Sequence, residues 1–395
     1  MALVLNTTPG NYYSAHDNLI FVAYESVKAT DPNTYVDYKY ICDVYINGTR
    51  EARLKAVPNP DNYRGIFDIS TVVRNAVANQ FNPTLSQIRA DQKGAGYWFV
   101  DVQCKFGEEY NSVIYLNVLE DSTRRYYNHY NGRLLGTLTN LTPYADKPIT
   151  NRPTTGSANI NDTAIFVPFW PTDTDTVTVR VRTYNGGSLI TSVTSDFTPA
   201  AADTMQLFNV APAAINAIHS NTIVSSTEYY TVEFLSPNIT GEDVYRFDLV
   251  CYPKFEPVAV TFLNKLGGYD TFVMRLANRQ QYEITKKEFR QNKYSVDSGG
   301  SVSFRTGNVY REQGKTFSSQ YREQLTANSD WLTDAEYQWL GELVFSPEVY
   351  IQQGSYFIPA RIKQTNYQPK QYVNDQLTQL EVTFDYSDQF NTQYR

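Results

Sequence analysis

The side chains that could do chemistry are few and scattered. Three histidines occur in 395 residues, His16, His129 and His219. None lies in an H-E-x-x-H or H-x-x-E-H pattern, so a zinc-bound water has no ligand set. Cys42, Cys104 and Cys251 are more than sixty positions apart, which gives neither a metal site nor a disulfide framework and reads as reduced core thiols. No G-x-S-x-G elbow offers a serine nucleophile. Lys93-Gly94-Ala95-Gly96-Tyr97 contains G-x-G but leads into a strand pattern, whereas a phosphate cradle needs a strand before it and a helix after. Thr172-Asp173-Thr174-Asp175-Thr176 alternates carboxylates as calcium ligands do, yet lacks the glycine and distant glutamate of an EF-hand loop, so a solvated turn is expected. Glu108-Glu109 and Glu242-Asp243 are expected as solubilising turn charges. Neighbours in extended backbone point to opposite faces, so neither pair can share a proton as glycosidase carboxylates do. The expectation is a non-enzymatic protein with no catalytic residues, no metal and no cofactor.

One stretch concentrates recognition chemistry, Arg124-Arg125-Tyr126-Tyr127-Asn128-His129-Tyr130-Asn131-Gly132-Arg133. Basic residues interleaved with rings could stack on a single nucleic-acid strand or a glycan. Tyr and Arg also dominate protein–protein hot spots. The net charge is −7 and the sequence pI about 5.2, which argues against a protein that grips phosphates over its whole surface. Arg124, Arg125, Tyr126, Tyr127, His129 and Tyr130 are therefore expected to form an assembly contact.

The elements that must position these residues read as strands. Residues Leu19–Tyr24 and Tyr35–Ile46 alternate apolar and polar positions, the period of a half-buried strand. Asn47-Gly48 supplies the positive-φ pair of a type I′ hairpin. Gly65–Ile69 follows, then a short helix near 70–81 capped by Ser70, with Val73, Ala76, Val77 and Phe81 on one face. Strands from Tyr97 to Phe106 and Ser112 to Leu119 are expected to turn at Gly107-Glu108-Glu109 and to close an antiparallel sandwich. Residues 123–160, with Pro143, Pro148 and Pro153 among polar residues, read as an irregular connector. A second alternating block runs through Thr176–Tyr184, turns at Asn185-Gly186-Gly187 and continues past Cys251, with an Ala-rich segment at Ala211–Ile218. In the last block Thr333 and Glu336 make a capping box. Leu332 and Tyr337 staple that helix, and Trp339, Leu340, Leu343 and Val344 face inward.

The predicted fold is thus all-β, mainly antiparallel. It has tandem β-sandwich domains with short embedded helices and a C-terminal β-rich domain carrying one packed α-helix near 333–345. The expected boundaries are 1–122, a connector at 123–160, 161–254 and 255–395. With 32 Tyr and 21 Phe, rings that tolerate half-burial are abundant enough to serve as interface glue. No run of about eighteen apolar residues is present to span a bilayer. The first residues lack a basic lead and a long apolar run, so a protein made in the cytoplasm is expected. The Asn-x-Thr sequons at Asn6, Asn47, Asn140, Asn161 and Asn238 then reflect composition rather than glycosylation.

Specific phrases resemble virion structural proteins of tailed bacteriophages of Bacteroidota hosts, including crAss-like phages. They are Asn18–Val22, Tyr40–Gly48 and Gly65–Ile69 early in the chain, and Phe262–Phe272 with Trp331–Thr333 through Ser346–Tyr350 late in it. The resemblance touches both ends of the chain and leaves the middle block generic. It implies a tail, neck or collar component that assembles with itself as a homo-oligomeric ring. Its neighbours would be other tail, neck or portal proteins, with DNA only as passing cargo and no membrane partner. An acidic lumen, which lets DNA slide past, is the expectation that accompanies it. The alternative expectation is a host-glycan-binding adhesin whose rings cluster at one end of a sandwich.

Overall fold

A computed structural model describes residues 3–85, 87–92, 97–130, 140–237, 244–250, 254–363 and 379–391, with the backbone alone described at Asp91 and over 387–391. The chain is all-β and mainly antiparallel, with short helices. Its contacts divide it into two units: Met1–Tyr252 with Thr261–Phe272, and Pro253–Val260 with Val273–Arg395.

The first unit holds two sandwiches. In the first, strands Val4–Thr7, Ile20–Tyr24 and Arg64–Asp68 form one sheet. The facing sheet runs Tyr13–Ser14, Arg124–Tyr127, Phe99–Tyr110, Lys39–Ile46, Thr49–Ala56, with Val113–Glu120 also paired to Phe99–Tyr110. Phe21 and Phe67 from one layer meet Phe106 from the other, with ring centroids 5.5 and 5.9 Å apart. The Asn47-Gly48 turn has φ of 48° and 85°, which fixes the register of Lys39–Ile46 against Thr49–Ala56 as the sequence predicts. Cys42 and Cys104 are free and buried between the layers. Their mutual hydrogen bond and their burial push the Cys42 thiol well above its ordinary range. Cys251, the Gly94–Gly96 loop, Asn238 and Glu242-Asp243 lie outside the described residues.

The second sandwich places Lys147–Pro148, Phe166–Trp170, Gln206–Asn209 and Arg89–Asp91 against the sheet Thr155–Ala158, Val244–Leu249, Tyr229–Leu235, Val177–Asn185, Ser188–Phe197. Strict alternation in Val177, Val179 and Val181 buries one face of Val177–Asn185. Arg89–Asp91, from the first block of sequence, pairs with residues 206–208 of the second. Trp98, Tyr127, Trp170 and Leu266 share a third core. For these reasons the blocks expected as separate domains fall into one unit.

Three further expectations are corrected. The connector at 123–160 contains Arg124–Tyr127, paired antiparallel to residues 99–102, and Thr155–Ala158, paired parallel to residues 246–249. The helix near 70–81 is only Ser70–Arg74, and Ser70 does not cap it. The Ser70 backbone N–H donates to Asp68 Oδ1 at 2.9 Å instead, while Phe81 packs beyond the helix on Phe166 and Tyr269. Gly107-Glu108-Glu109 is not a turn: the strand continues to Tyr110, and Asn111 and Ser112, with φ of 52° and 61°, make the reversal.

The second unit orders Val349–Gln353, Tyr356–Ile362, Glu381–Asn391, Gly314–Asn328 and Arg279–Arg290 as antiparallel neighbours. The helix Asp334–Phe345 carries the predicted capping box, with Thr333 and Glu336 bonding each other's backbone N–H groups. Leu332, Tyr337, Trp339, Leu340 and Leu343 are buried, while Val344 is half-buried. Among the described residues Glu381–Asn391 pairs with Gly314–Asn328 from Gln320 onward; residues 285–290 pair with 314–319, and between them lie two small hairpins, 295–296 with 302–303 and 305–306 with 309–310.

Candidate functional site

Arg124–Tyr130, the predicted assembly contact, is mostly interior. Arg124–Tyr127 is a strand flanked on both edges, by residues 13–14 and by residues 99–102. Tyr126, Tyr127 and His129 are buried, so they present nothing to another molecule. Arg124 grips Asp121 with two nitrogens at 2.7 and 2.9 Å. Arg125 grips Asp101 at 2.7 and 2.8 Å, also reaches Asp203, and lies over the Phe99 ring at 4.0 Å. Its hydrogen bonds to Asp101 hold the guanidinium pKa above its ordinary value despite partial burial. Tyr127 donates to Asp203 Oδ1 at 2.9 Å, and Trp170 Nε1 donates to the same oxygen at 2.8 Å. Burial first, and the Asp203 charge second, push the Tyr127 phenol far above its usual range. The segment is a polar and aromatic knot that ties the two sandwiches together. Of the six residues only Tyr130, 57 % exposed, stands at the surface.

The remaining chemical candidates resolve as structure. Glu108 is buried, not a solvated turn charge. It pairs with Lys28 and accepts from the Tyr38 hydroxyl at 3.1 Å. Glu109, on the opposite face as the extended backbone requires, pairs with Lys55 and Lys39. Asp175 N–H donates to Asp173 Oδ1 at 2.8 Å, and Thr172 is held by Asp146. His16 bonds Asn128 at 2.8 Å. Among the described residues no group of three or more His, Cys, Asp or Glu is placed to hold a metal ion.

Sequence reasoning passed over one Ser–His pair. Ser195 Oγ lies 2.6 Å from His219 Nε2, both half-buried. Twenty-four positions separate the two, so no motif signals it. Among the described residues no carboxylate bonds the other ring nitrogen, and the third member that orients a catalytic base is missing.

The surface that stands out was also missed, because its residues read only as a strand closing the first sandwich. Val113–Glu120 pairs on one side with residues 105–110, and among the described residues no strand pairs with its other edge. Val113, Ile114, Tyr115, Leu116 and Val118 are each between 41 and 48 % exposed, so both faces of the strand present apolar side chains to water. Tyr115 stacks on Tyr110 with centroids 4.7 Å apart. At the bulge beside it, a Cβ on Gly107 would collide with the Tyr115 carbonyl oxygen, so glycine is what lets this strand approach.

No protein-family model and no curated protein matches the chain. Among solved structures, a "Biofilm associated protein - BSP domain" is similar at 10 % identity and a TM-score of 0.17, covering 82 % of this chain and 63 % of that one. The chain thus spans less than two thirds of that neighbour's length. Among the described residues no helix is long and apolar enough to cross a membrane.

Proposed function

We propose that this chain is a non-enzymatic structural protein that assembles with copies of itself, and that it serves as a ring component in the tail, neck or collar of a tailed-phage virion. The observation that supports assembly is the strand Val113–Glu120, apolar on both faces and, among the described residues, with no strand paired to its outer edge. An edge strand of this kind is a ready template for another chain, and natural monomers blunt such edges with charges or prolines. Here one glutamate closes the strand, at Glu120. A ring requires that the strand meet a different surface on the next copy, because self-complementary contacts close as dimers. The phage assignment rests on the sequence resemblance, with other virion proteins as neighbours and DNA as passing cargo.

Light scattering of the purified chain over a range of concentrations, beside negative-stain images, tests the reading. The expected result is a multimeric mass with annular particles, lost when Ile114, Leu116 and Val118 are together replaced by Lys. A concentration-independent single copy, above all one retained by glycans, contradicts it.

A further inference from the structure

The 285–319 ribbon is the paired ends of two long strands, 285–290 with 314–319, carrying two small hairpins between them. All twelve side chains of Arg279–Arg290 are exposed, and so is nearly every residue from 292 to 314. Isolated two-stranded ribbons are marginal in water. This one keeps its shape through small ring contacts, Phe289 with Phe317 and Tyr294 with Phe304, at 6.4 and 6.5 Å, and through Arg305 over Tyr310 at 5.9 Å. Those rings remain substantially exposed.

Charge is segregated in the same place. Residues 285–319 carry seven basic and three acidic side chains, a net +4, so the remaining chain carries −11. In the second sandwich Asp175, Asp196 and Glu228 are exposed carboxylates, whereas Asp162, Asp203 and Glu233 are buried, the last two paired with arginines. Among the described residues no strand pairs with the outer edge of that sandwich's sheet. Ser188–Phe197 is the last strand of its sheet, with Leu189, Ile190 and Asp196 exposed.

We infer that the 285–319 ribbon is an assembly arm that docks on a second copy at the strand Ser188–Phe197, beside the exposed carboxylates Asp175 and Asp196. Opposite charge steers the encounter and selects register, and the exposed rings and valines then cover Leu189 and Ile190. Because donor and acceptor are different surfaces, the contact is head-to-tail, the kind that closes rings. The inference rests on the self-assembly reading and supplies it with a second, polar contact.

The test uses the full chain in two charge-reversed forms, Lys286→Glu with Lys287→Glu and Arg290→Glu on the arm, and Asp175→Lys with Asp196→Lys on the acceptor. Wild type must assemble first; if it stays single at all concentrations, self-assembly itself fails. Given assembly, each reversed form alone should associate at least about tenfold more weakly, and their equimolar mixture should associate more strongly than either form alone. Arm-reversed protein of wild-type mass overturns the inference, as does a mixture that associates no more strongly than either form alone. Normal mass together with lost retention on a DNA oligonucleotide overturns it in favour of a nucleic-acid arm. Circular dichroism of each variant, expected unchanged, separates lost docking from lost folding.

Discussion

Val113–Glu120 and Arg124–Tyr127 lie one after the other along the same edge of the strand Phe99–Tyr110, yet their environments are opposite to their compositions. The apolar stretch is exposed, whereas in the stretch that begins Arg-Arg both arginines are half-buried and both tyrosines buried. What separates them is the company each keeps on its far side. Arg124–Tyr127 is covered by Tyr13–Ser14, and Asp101, Asp121 and Asp203 neutralise its guanidinium groups. Buried charge is tolerable when it is paired and hydrogen-bonded in this way. Val113–Glu120 has no strand beyond it among the described residues. Its hydrophobic residues are inside only when another molecule puts them there.

Substitutions should therefore part the two stretches. Those in the knot change stability and leave mass per folded copy unaltered, while those in the edge strand do the reverse. The largest expected effect is Tyr127→Ala, which empties a site between Trp98, Trp170 and Phe99 and should cost about 3–5 kcal/mol in denaturant unfolding. Asp203→Ala leaves the Tyr127 hydroxyl, the Trp170 N–H and one arm of Arg125 without their acceptor. A loss of about 2–3 kcal/mol is expected by the same measurement, discounted because Arg125 keeps Asp101 and some solvent.

A pH scan should show the same asymmetry. Tyr38, Tyr126 and Tyr127 are held protonated by burial, and Tyr40 is pushed up to about 12. A raised pKa in the folded state favours folding fully below the unfolded phenol's value near 10, and that contribution is lost as pH climbs from about 10 towards 12. Ultraviolet phenolate titration should find these rings ionising late, together with unfolding. Early ionisation of every tyrosine would place the knot in solvent. The smallest stability effect belongs to Ile114→Lys, within about 0.5 kcal/mol of wild type as for other exposed positions, while the scattering mass falls.

How much of this could be read in advance follows the range of each interaction. Asn47-Gly48 and the Thr333–Glu336 box were legible because their physics is complete within four residues. The end of Phe99–Tyr110 was misplaced by four residues because Gly107 resembles a turn residue, whereas it serves a close approach from Tyr115. The burial of Arg125 depends on Asp203, seventy-eight positions away, and Glu108 on Lys28, eighty away. No local pattern announces such pairs. The same limit hides the exposure of Val113–Glu120, since an apolar run tells which residues want cover but not whether the chain supplies it.

Amide hydrogen exchange, compared between dilute and concentrated protein, tests the central claim most directly. Exchange at residues 113–118 should slow as mass rises, while residues 124–127 stay protected at both concentrations. Residues 113–118 exchanging equally fast in the single copy and in the multimer would contradict assembly through this edge.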